Sequence, residues 1–124
     1  MTMNQTLSES ACPDGGILRE LYKDPGWGQI NLRTIPAGKS KPGHTHHRRG
    51  EHWVLVRGEN VWLTIEQPGS GPWTFHLPRW YPIAMDVGIG HAVANRGEEE
   101  AVIVFWMDEV YDPQDPDKYP WEPT

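Results

Sequence analysis

The sequence predicts one all-β domain, a small sandwich or barrel of short strands joined by tight turns. Glycine and proline make up about a fifth of the 124 residues (13 Gly and 12 Pro), a proportion too high for a helical bundle. Seven tryptophans argue against a disordered chain, because disordered segments are poor in aromatic side chains. A chain of this length buries roughly two-thirds of its unfolded surface, so it can form a hydrophobic core without cross-links.

Nine segments are expected to be strands, because apolar residues recur in them and turn signals separate them. They are residues 17–22, 29–35, 44–47, 52–57, 61–66, 73–77, 80–84, 91–95 and 101–107. The turns fall where Gly, Pro or Asn occurs, at 36–38, 42–43, 58–60, 68–72, 88–90 and 96–97. No segment shows an apolar stripe of period 3.6 bounded by capping residues, so almost no helix is expected.

The two ends of the chain are polar. Residues 1–15 are predicted to be a flexible N-terminal arm, residues 16–110 the domain, and residues 111–124 a tail rich in Pro and Asp. Four prolines in the tail oppose both helix and ladder pairing. The tail is therefore either disordered or an ordered flap that Tyr119 and Trp121 hold against the domain.

The segment 101–107, AVIVFWM, is apolar on both faces and needs cover on both. Cover from a second copy of the chain predicts a homodimer. Cover from the protein's own strands is the alternative.

Charge and composition exclude several classes of protein. A net charge of −6 and a pI of about 5.4 disfavour a general nucleic-acid-binding protein, whose surface would be basic. The single cysteine, Cys12, excludes an internal disulfide and a Cys-based zinc finger. No apolar run approaches the ~18 residues of a membrane span, and the first residues lack the pattern of a signal peptide. We therefore expect a cytoplasmic protein without a membrane partner.

A histidine-rich stretch predicts a metal site. His44 and His46 are two residues apart, so in a strand both side chains lie on one face. A turn at 49–50 could bring Glu51 back towards them. Two imidazoles and a carboxylate suit one divalent ion: Zn, Mn, Fe, Ni or Co. His91, which follows the glycine-rich turn 88–90, is the candidate fourth ligand.

The spacing of these residues resembles the signature of the cupin family. The first motif is matched at every position, by Gly38, His44, His46, Glu51 and Gly58. The second is matched in part, by Gly88, His91 and Asn95, with Asp86 where a proline is usual and Trp80 where a glycine is usual. The resemblance implies a small jelly-roll β-barrel, with His44, His46, Glu51 and His91 as metal ligands and one or two coordination positions open for substrate.

Residues 36–65 resemble, more narrowly, the cupin segment of bacterial mannose-6-phosphate isomerases. The matching residues are His46, His47, Arg49, Glu51, His52, Trp53, Val54, Val56 and Gly58, whereas His44 stands where those proteins have glutamine. This resemblance implies a metal-dependent isomerase or epimerase for a small anionic molecule such as a sugar phosphate. Two alternatives remain open at this point, an Fe(II)-dependent dioxygenase and a non-enzymatic metal-containing protein that binds a small molecule.

Residues near the motif are candidates for binding substrate. Arg48 and Arg49, with Lys39 and Lys41, could grip a phosphate or carboxylate, or could form an ordinary solvated loop. Trp53 could stack on a sugar ring or belong to the core. No residue stands out as a general base, and the candidates are His52, Tyr81 and Asp86.

Overall fold

Two antiparallel sheets face each other in the structure, a computed structural model that describes residues 7–123. The strands are β1 (Glu9–Ala11), β2 (Ile17–Asp24), β3 (Gly28–Ile35), β4 (Ser40–Thr45), β5 (Glu51–Arg57), β6 (Val61–Gln67), β7 (Ser70–His76), β8 (Ile83–Met85), β9 (Gly90–Asn95), β10 (Ala101–Met107) and β11 (Tyr119–Pro120). One sheet has the order β1-β2-β3-β10-β5-β8, and the other has the order β11-β4-β9-β6-β7.

The hydrophobic core lies between the sheets, because the strands alternate inward and outward side chains. In β10 the inward residues Ala101, Ile103, Phe105 and Met107 are at most 9% exposed. The outward residues of β10, 102, 104 and 106, are only half-buried. The strand predicted to be apolar on both faces is therefore fully buried on one face only.

The prediction of an all-β jelly roll is confirmed. Within residues 7–123 there is no helix, and the two sheets pack as a sandwich without closing into a barrel. No helix in this part of the chain has the length and apolar character needed to cross a bilayer.

Several strand boundaries differ from the sequence prediction, and β7, for example, begins at Ser70, inside the turn predicted at 68–72. The predicted turn at 42–43 lies inside β4, which begins at Ser40 and ends at Thr45, before His46 and His47. An irregularity in the pairing with β9 falls between Lys41 and His44, and such a bulge is where a strand accepts a proline. The predicted strand 80–84 is β8 at Ile83–Met85 instead, because Trp80 adopts a left-handed turn conformation (φ 65°).

Both chain ends take part in the sheets. Glu9–Ala11, within the predicted flexible arm, forms β1 on the edge of β2. In the tail, Tyr119–Pro120 pairs with β4 as β11. Residues 1–6 of the predicted arm and residue 124 of the tail lie outside the described part of the chain, and the division at residues 15 and 110 stays a prediction.

A buried ion pair ties the β1–β2 connection to β3. Arg33 Nη2 lies 2.8 Å from Asp14 Oδ2, and the two side chains are 6% and 7% exposed. Burial raises the pKa of Asp14, but the hydrogen bonds from Arg33 and Gly16, together with the charge of Arg33, leave the pKa below its usual value. The carboxylate is therefore ionised at neutral pH.

Asp14→Asn is expected to lower the free energy of unfolding by about 3 kcal/mol at pH 7, because a buried guanidinium loses its partner charge. The wild-type advantage is complete above the ordinary aspartate pKa of about 3.9 and is lost as the pH falls through the lower pKa of the folded protein. Urea unfolding at pH 7 and at about pH 3 measures this dependence. An equal difference at both pH values would contradict it. Glu9→Gln is the control, because the Glu9–Arg19 pair is exposed and worth less than about 1 kcal/mol.

Candidate metal centre

Four buried side chains converge between the sheets. His44 on β4 is paired in register with His91 on β9, His46 follows β4, and Glu51 begins β5 on the opposite sheet. One possible ligand atom from each residue lies within 4.8 Å of those of the other three. Each residue is at most 5% exposed. We refer to His44, His46, Glu51 and His91 as the four-residue cluster.

Backbone carbonyls orient two of the imidazoles. His46 Nδ1 lies 2.7 Å from the carbonyl oxygen of Asp117, and His91 Nδ1 lies 3.0 Å from that of Ile89. Because a carbonyl oxygen only accepts hydrogen bonds, each Nδ1 carries the hydrogen and each neutral ring presents a lone pair at Nε2. Among the described residues, both Nε2 atoms are buried without a hydrogen-bond partner. Buried acceptors of this kind are costly unless something binds them, so the cluster fits one metal ion.

Glu51 supplies the negative charge of the cluster. Its Oε1 accepts a hydrogen bond from Trp53 Nε1 (2.9 Å), and its Oε2 lies 3.2 Å from His46 Nε2. Burial raises the pKa of Glu51, but the contact with His46 and the charge on Lys41 hold it well below the usual range. The carboxylate is therefore ionised and can serve as an anionic ligand.

Two of the histidines, His44 and His91, are favoured as neutral ligands. Burial lowers the pKa of His91 to about 4, and the charge of Lys41 acts in the same direction. Burial and Lys41 likewise hold the pKa of His44 well below its usual range. Nitrogen donors with one carboxylate suit Zn, Mn, Fe, Ni and Co alike.

A family model for the polysaccharide biosynthesis C-terminal domain matches residues 12–119. The chain belongs to this family. Its relatives include a UDP-2-acetamido-2,6-beta-L-arabino-hexul-4-ose reductase of Pseudomonas aeruginosa, which is 24% identical over 84% of this chain and 28% of the relative. The chain thus spans less than a third of the length of that curated relative.

Solved structures share the fold of this polysaccharide biosynthesis domain. The capsular polysaccharide assembling protein CapF of Staphylococcus aureus superposes with a TM-score of 0.84 and 25% identity, over 94% of this chain and 34% of CapF. The cupin domain of Schizosaccharomyces pombe Cnp3 superposes with a TM-score of 0.67 and 15% identity, over 86% of this chain and 69% of Cnp3. The family domain therefore has the cupin fold.

Lys41, expected from the sequence either to bind an anion or to lie in a solvated loop, reaches the four-residue cluster with its amine. Lys41 Nζ lies 3.4 Å from His44 Nε2 and 5.3 Å from the centroid of the Trp53 ring. Burial lowers the pKa of Lys41 to about 7 against the attraction of Glu51, and nearby cations act with burial. In either protonation state the amine can donate hydrogen bonds.

The bulge in β4 explains why strand alternation did not predict that Lys41 contacts the cluster. Simple strand alternation puts residues three apart on opposite faces. In the structure, Lys41 lies opposite Val93 and His44 lies opposite His91, and Val93 and His91 share the inward face of β9. The extra residue of the bulge therefore turns Lys41 and His44 to the same side.

The three predicted substrate-binding residues all have protein partners. Arg48 pairs with Glu109 and Asp115 at the surface, whereas buried Arg49 donates hydrogen bonds to Glu51 Oε2 (3.3 Å) and the carbonyl oxygen of Pro116 (3.0 Å). Trp53 is 2% exposed, and its ring packs edge-on against His91. Their contacts with substrate stay predictions.

The three candidate general bases lie at the surface. His52 projects from the outer face of β5 and packs against Trp106. Tyr81 is 59% exposed, and Asp86 is exposed in the segment before β9. The four-residue cluster includes none of them, and their role as bases stays a prediction.

Proposed function

We propose that this protein is a metal-dependent isomerase or epimerase acting on a sugar that carries a phosphate or nucleoside diphosphate. The single observation that carries this proposal is the four-residue cluster, in which two buried imidazole Nε2 atoms have no hydrogen-bond partner within residues 7–123 and lie beside an ionised Glu51. The substrate class is supported by the relatives, one named for a UDP-linked hexul-4-ose and one for capsular polysaccharide assembly.

A ketone inside a sugar makes the hydrogens on its neighbouring carbons acidic, so removing and returning one of them inverts a centre or moves the carbonyl. A divalent ion, when bound, supplies Lewis acidity for this chemistry. His44, His46, Glu51 and His91 would hold that ion. Lys41 would donate a hydrogen bond to a substrate oxygen, and the burial of the cluster would exclude bulk water.

The proposal is tested by hydrogen exchange with solvent. Protein loaded with Zn²⁺, Mn²⁺ or Fe²⁺ is mixed with a UDP-linked 4-keto sugar in D₂O, and NMR follows the hydrogens beside the carbonyl. We expect deuterium to enter at one of these carbons, with no uptake of oxygen. Mannose 6-phosphate is a second substrate in the same assay, because the sequence predicts that narrower activity.

Other outcomes would overturn the proposal. Saturable binding of these compounds without exchange, with each ion, would favour a metal-containing binding protein. Oxygen consumption with a small anionic or aromatic substrate would favour the dioxygenase.

Loss of anion binding in Arg48→Ala/Arg49→Ala with unchanged metal content would support these arginines as the anion clamp.

We also propose a homodimer, on narrower grounds. The outer face of β10 carries the half-buried side chains of Val102, Val104 and Trp106. The ring of Trp106 contacts that of Trp27, which in turn contacts Tyr22. Trp27 and Tyr22 are 45% and 47% exposed, so this apolar surface extends beyond β10. Light scattering should give twice the monomer mass for the wild type and the monomer mass for Val104→Glu. A monomeric wild type would refute this proposal. The cytoplasmic location stays a prediction.

A further inference from the structure

Asp117, in the C-terminal segment, contacts the four-residue cluster directly. This residue is 2% exposed and adopts a left-handed backbone conformation (φ 49°). Its carbonyl oxygen accepts the hydrogen of His46 Nδ1, at 2.7 Å, from a side chain 71 positions earlier in the chain. The main chain at Asp117 therefore sets which nitrogen of His46 faces the cluster.

The side chain of Asp117 holds that carbonyl in place. Its carboxylate accepts hydrogen bonds from three successive backbone N–H groups, those of His47 (2.9 Å), Arg48 (3.0 Å) and Arg49 (2.9 Å). Burial raises the pKa of Asp117, but these three bonds and the charge of Arg48 lower it below its usual value. The carboxylate thus clamps the loop between β4 and β5, which connects His46 to Glu51.

Neighbours of Asp117 reinforce the same link. The carbonyl oxygen of Pro116 accepts a hydrogen bond from Arg49, whose Nε lies 3.3 Å from Glu51 Oε2. Tyr119 stacks on His47 with 3.8 Å between ring centroids. Three members of the cluster are therefore connected to the C-terminal segment: His46 directly to Asp117, Glu51 through Arg49, and His44 by the pairing of β4 with β11 at Pro120.

We propose that Asp117 is a positioning residue of the metal centre, which fixes His46 in the tautomer that presents Nε2 to the ion. The inference deepens the proposed function and rests on the metal site within it. Removing a group that accepts a hydrogen bond from the other ring nitrogen of a metal-binding histidine typically weakens metal binding by about 10- to 100-fold.

Two substitutions separate the carboxylate from the backbone it holds. Asp117→Gly removes the side chain, whereas Asp117→Asn keeps one side-chain oxygen that can accept a hydrogen bond. Both glycine and asparagine adopt the left-handed backbone conformation readily. Asp115→Asn is the matched control, because it removes one charge from the same segment at an exposed ion pair with Arg48. Circular dichroism establishes that each variant is folded.

The first measurement is the tautomer of His46 in metal-free protein, by ¹⁵N NMR of the imidazoles. We expect the Nδ1–H form in the wild type and in Asp115→Asn, and a mixture of both tautomers in Asp117→Gly. His91 should keep its tautomer throughout, because Ile89 rather than Asp117 accepts its hydrogen. A substitution that only lowered stability would not single out one histidine.

The second measurement is Zn²⁺ affinity by competition with a chromophoric chelator. We expect binding about 10- to 100-fold weaker in Asp117→Gly, a smaller loss in Asp117→Asn, and no loss in Asp115→Asn. If Asp117→Gly does not fold, Asp117→Asn carries both measurements. An unchanged His46 tautomer with unchanged affinity would overturn the role of Asp117 alone. A wild-type protein that binds none of the ions would overturn the metal centre itself.

Discussion

His46→Ala is expected to abolish stable metal binding, which in the wild type should approach about one ion per chain. The substitution removes a candidate metal ligand, His46 Nε2, which is buried without a hydrogen-bond partner in the described part of the chain. It also leaves Glu51 without the contact of 3.2 Å to that nitrogen. Affinity for the metal should fall by more than about 100-fold, which is the most that removing a group hydrogen-bonded to a ligand typically causes. Elemental analysis of protein purified without chelator measures the content.

His52→Ala is the control for this prediction. His52 lies six residues further along and projects from the outer face of β5, so its removal should leave the metal content unchanged. Because metal binding stabilises the folded state by mass action, added Zn²⁺ should raise the melting temperature of the wild type and of His52→Ala only. Full occupancy of His46→Ala would remove His46 from the ligand set.

Lys41→Met is expected to lower kcat/KM by about 10- to 100-fold in the exchange assay, the effect of losing a hydrogen bond to a charged partner. The amine lies 3.4 Å from His44 Nε2, and methionine has a similar shape but no N–H group to donate. Metal content should be maintained, since Lys41 is not one of the four converging residues. The measurement is steady-state exchange kinetics on metal-loaded protein.

Two further variants give this result its meaning. Lys39→Met removes the same charge from an exposed side chain two residues away, and its kcat/KM should equal that of the wild type. Lys41→Arg keeps a hydrogen-bond donor and should recover part of the loss. Equal kinetics for Lys41→Met and Lys39→Met would show that Lys41 does not contact the substrate.

Local patterns in the sequence were sufficient for most strands. The segment 101–107 is β10 without change, because alternation of inward and outward side chains depends only on neighbouring residues. The sequence also predicted the residues that form the four-residue cluster. His44 lies in β4 and His46 directly follows that strand, and the pairing of β4 with β9 brings His91 opposite His44.

The tail and the bulge could not be predicted from local patterns. Strand alternation assigns Lys41 to the wrong face, because the irregularity at 42–43 shows only in the pairing of β4 with β9. The prolines of the tail predicted no strand pairing, yet Tyr119–Pro120 pairs with β4. Trp121 then lies so close to Gly43 and Gly90 that a Cβ atom added to either glycine would overlap it. Its indole Nε1 donates a hydrogen bond to Glu66.

The sequence by itself determined that this protein is an all-β domain, because strand periodicity and turn signals are local properties, and its resemblance to the cupin motifs identified the four side chains that converge. Only the tertiary structure decided what surrounds them. Lys41 enters the site through a strand irregularity, and Asp117 orients His46 across 71 positions of chain. A hydrogen bond over such a separation depends on how the two sheets pack, so no short stretch of sequence encodes it.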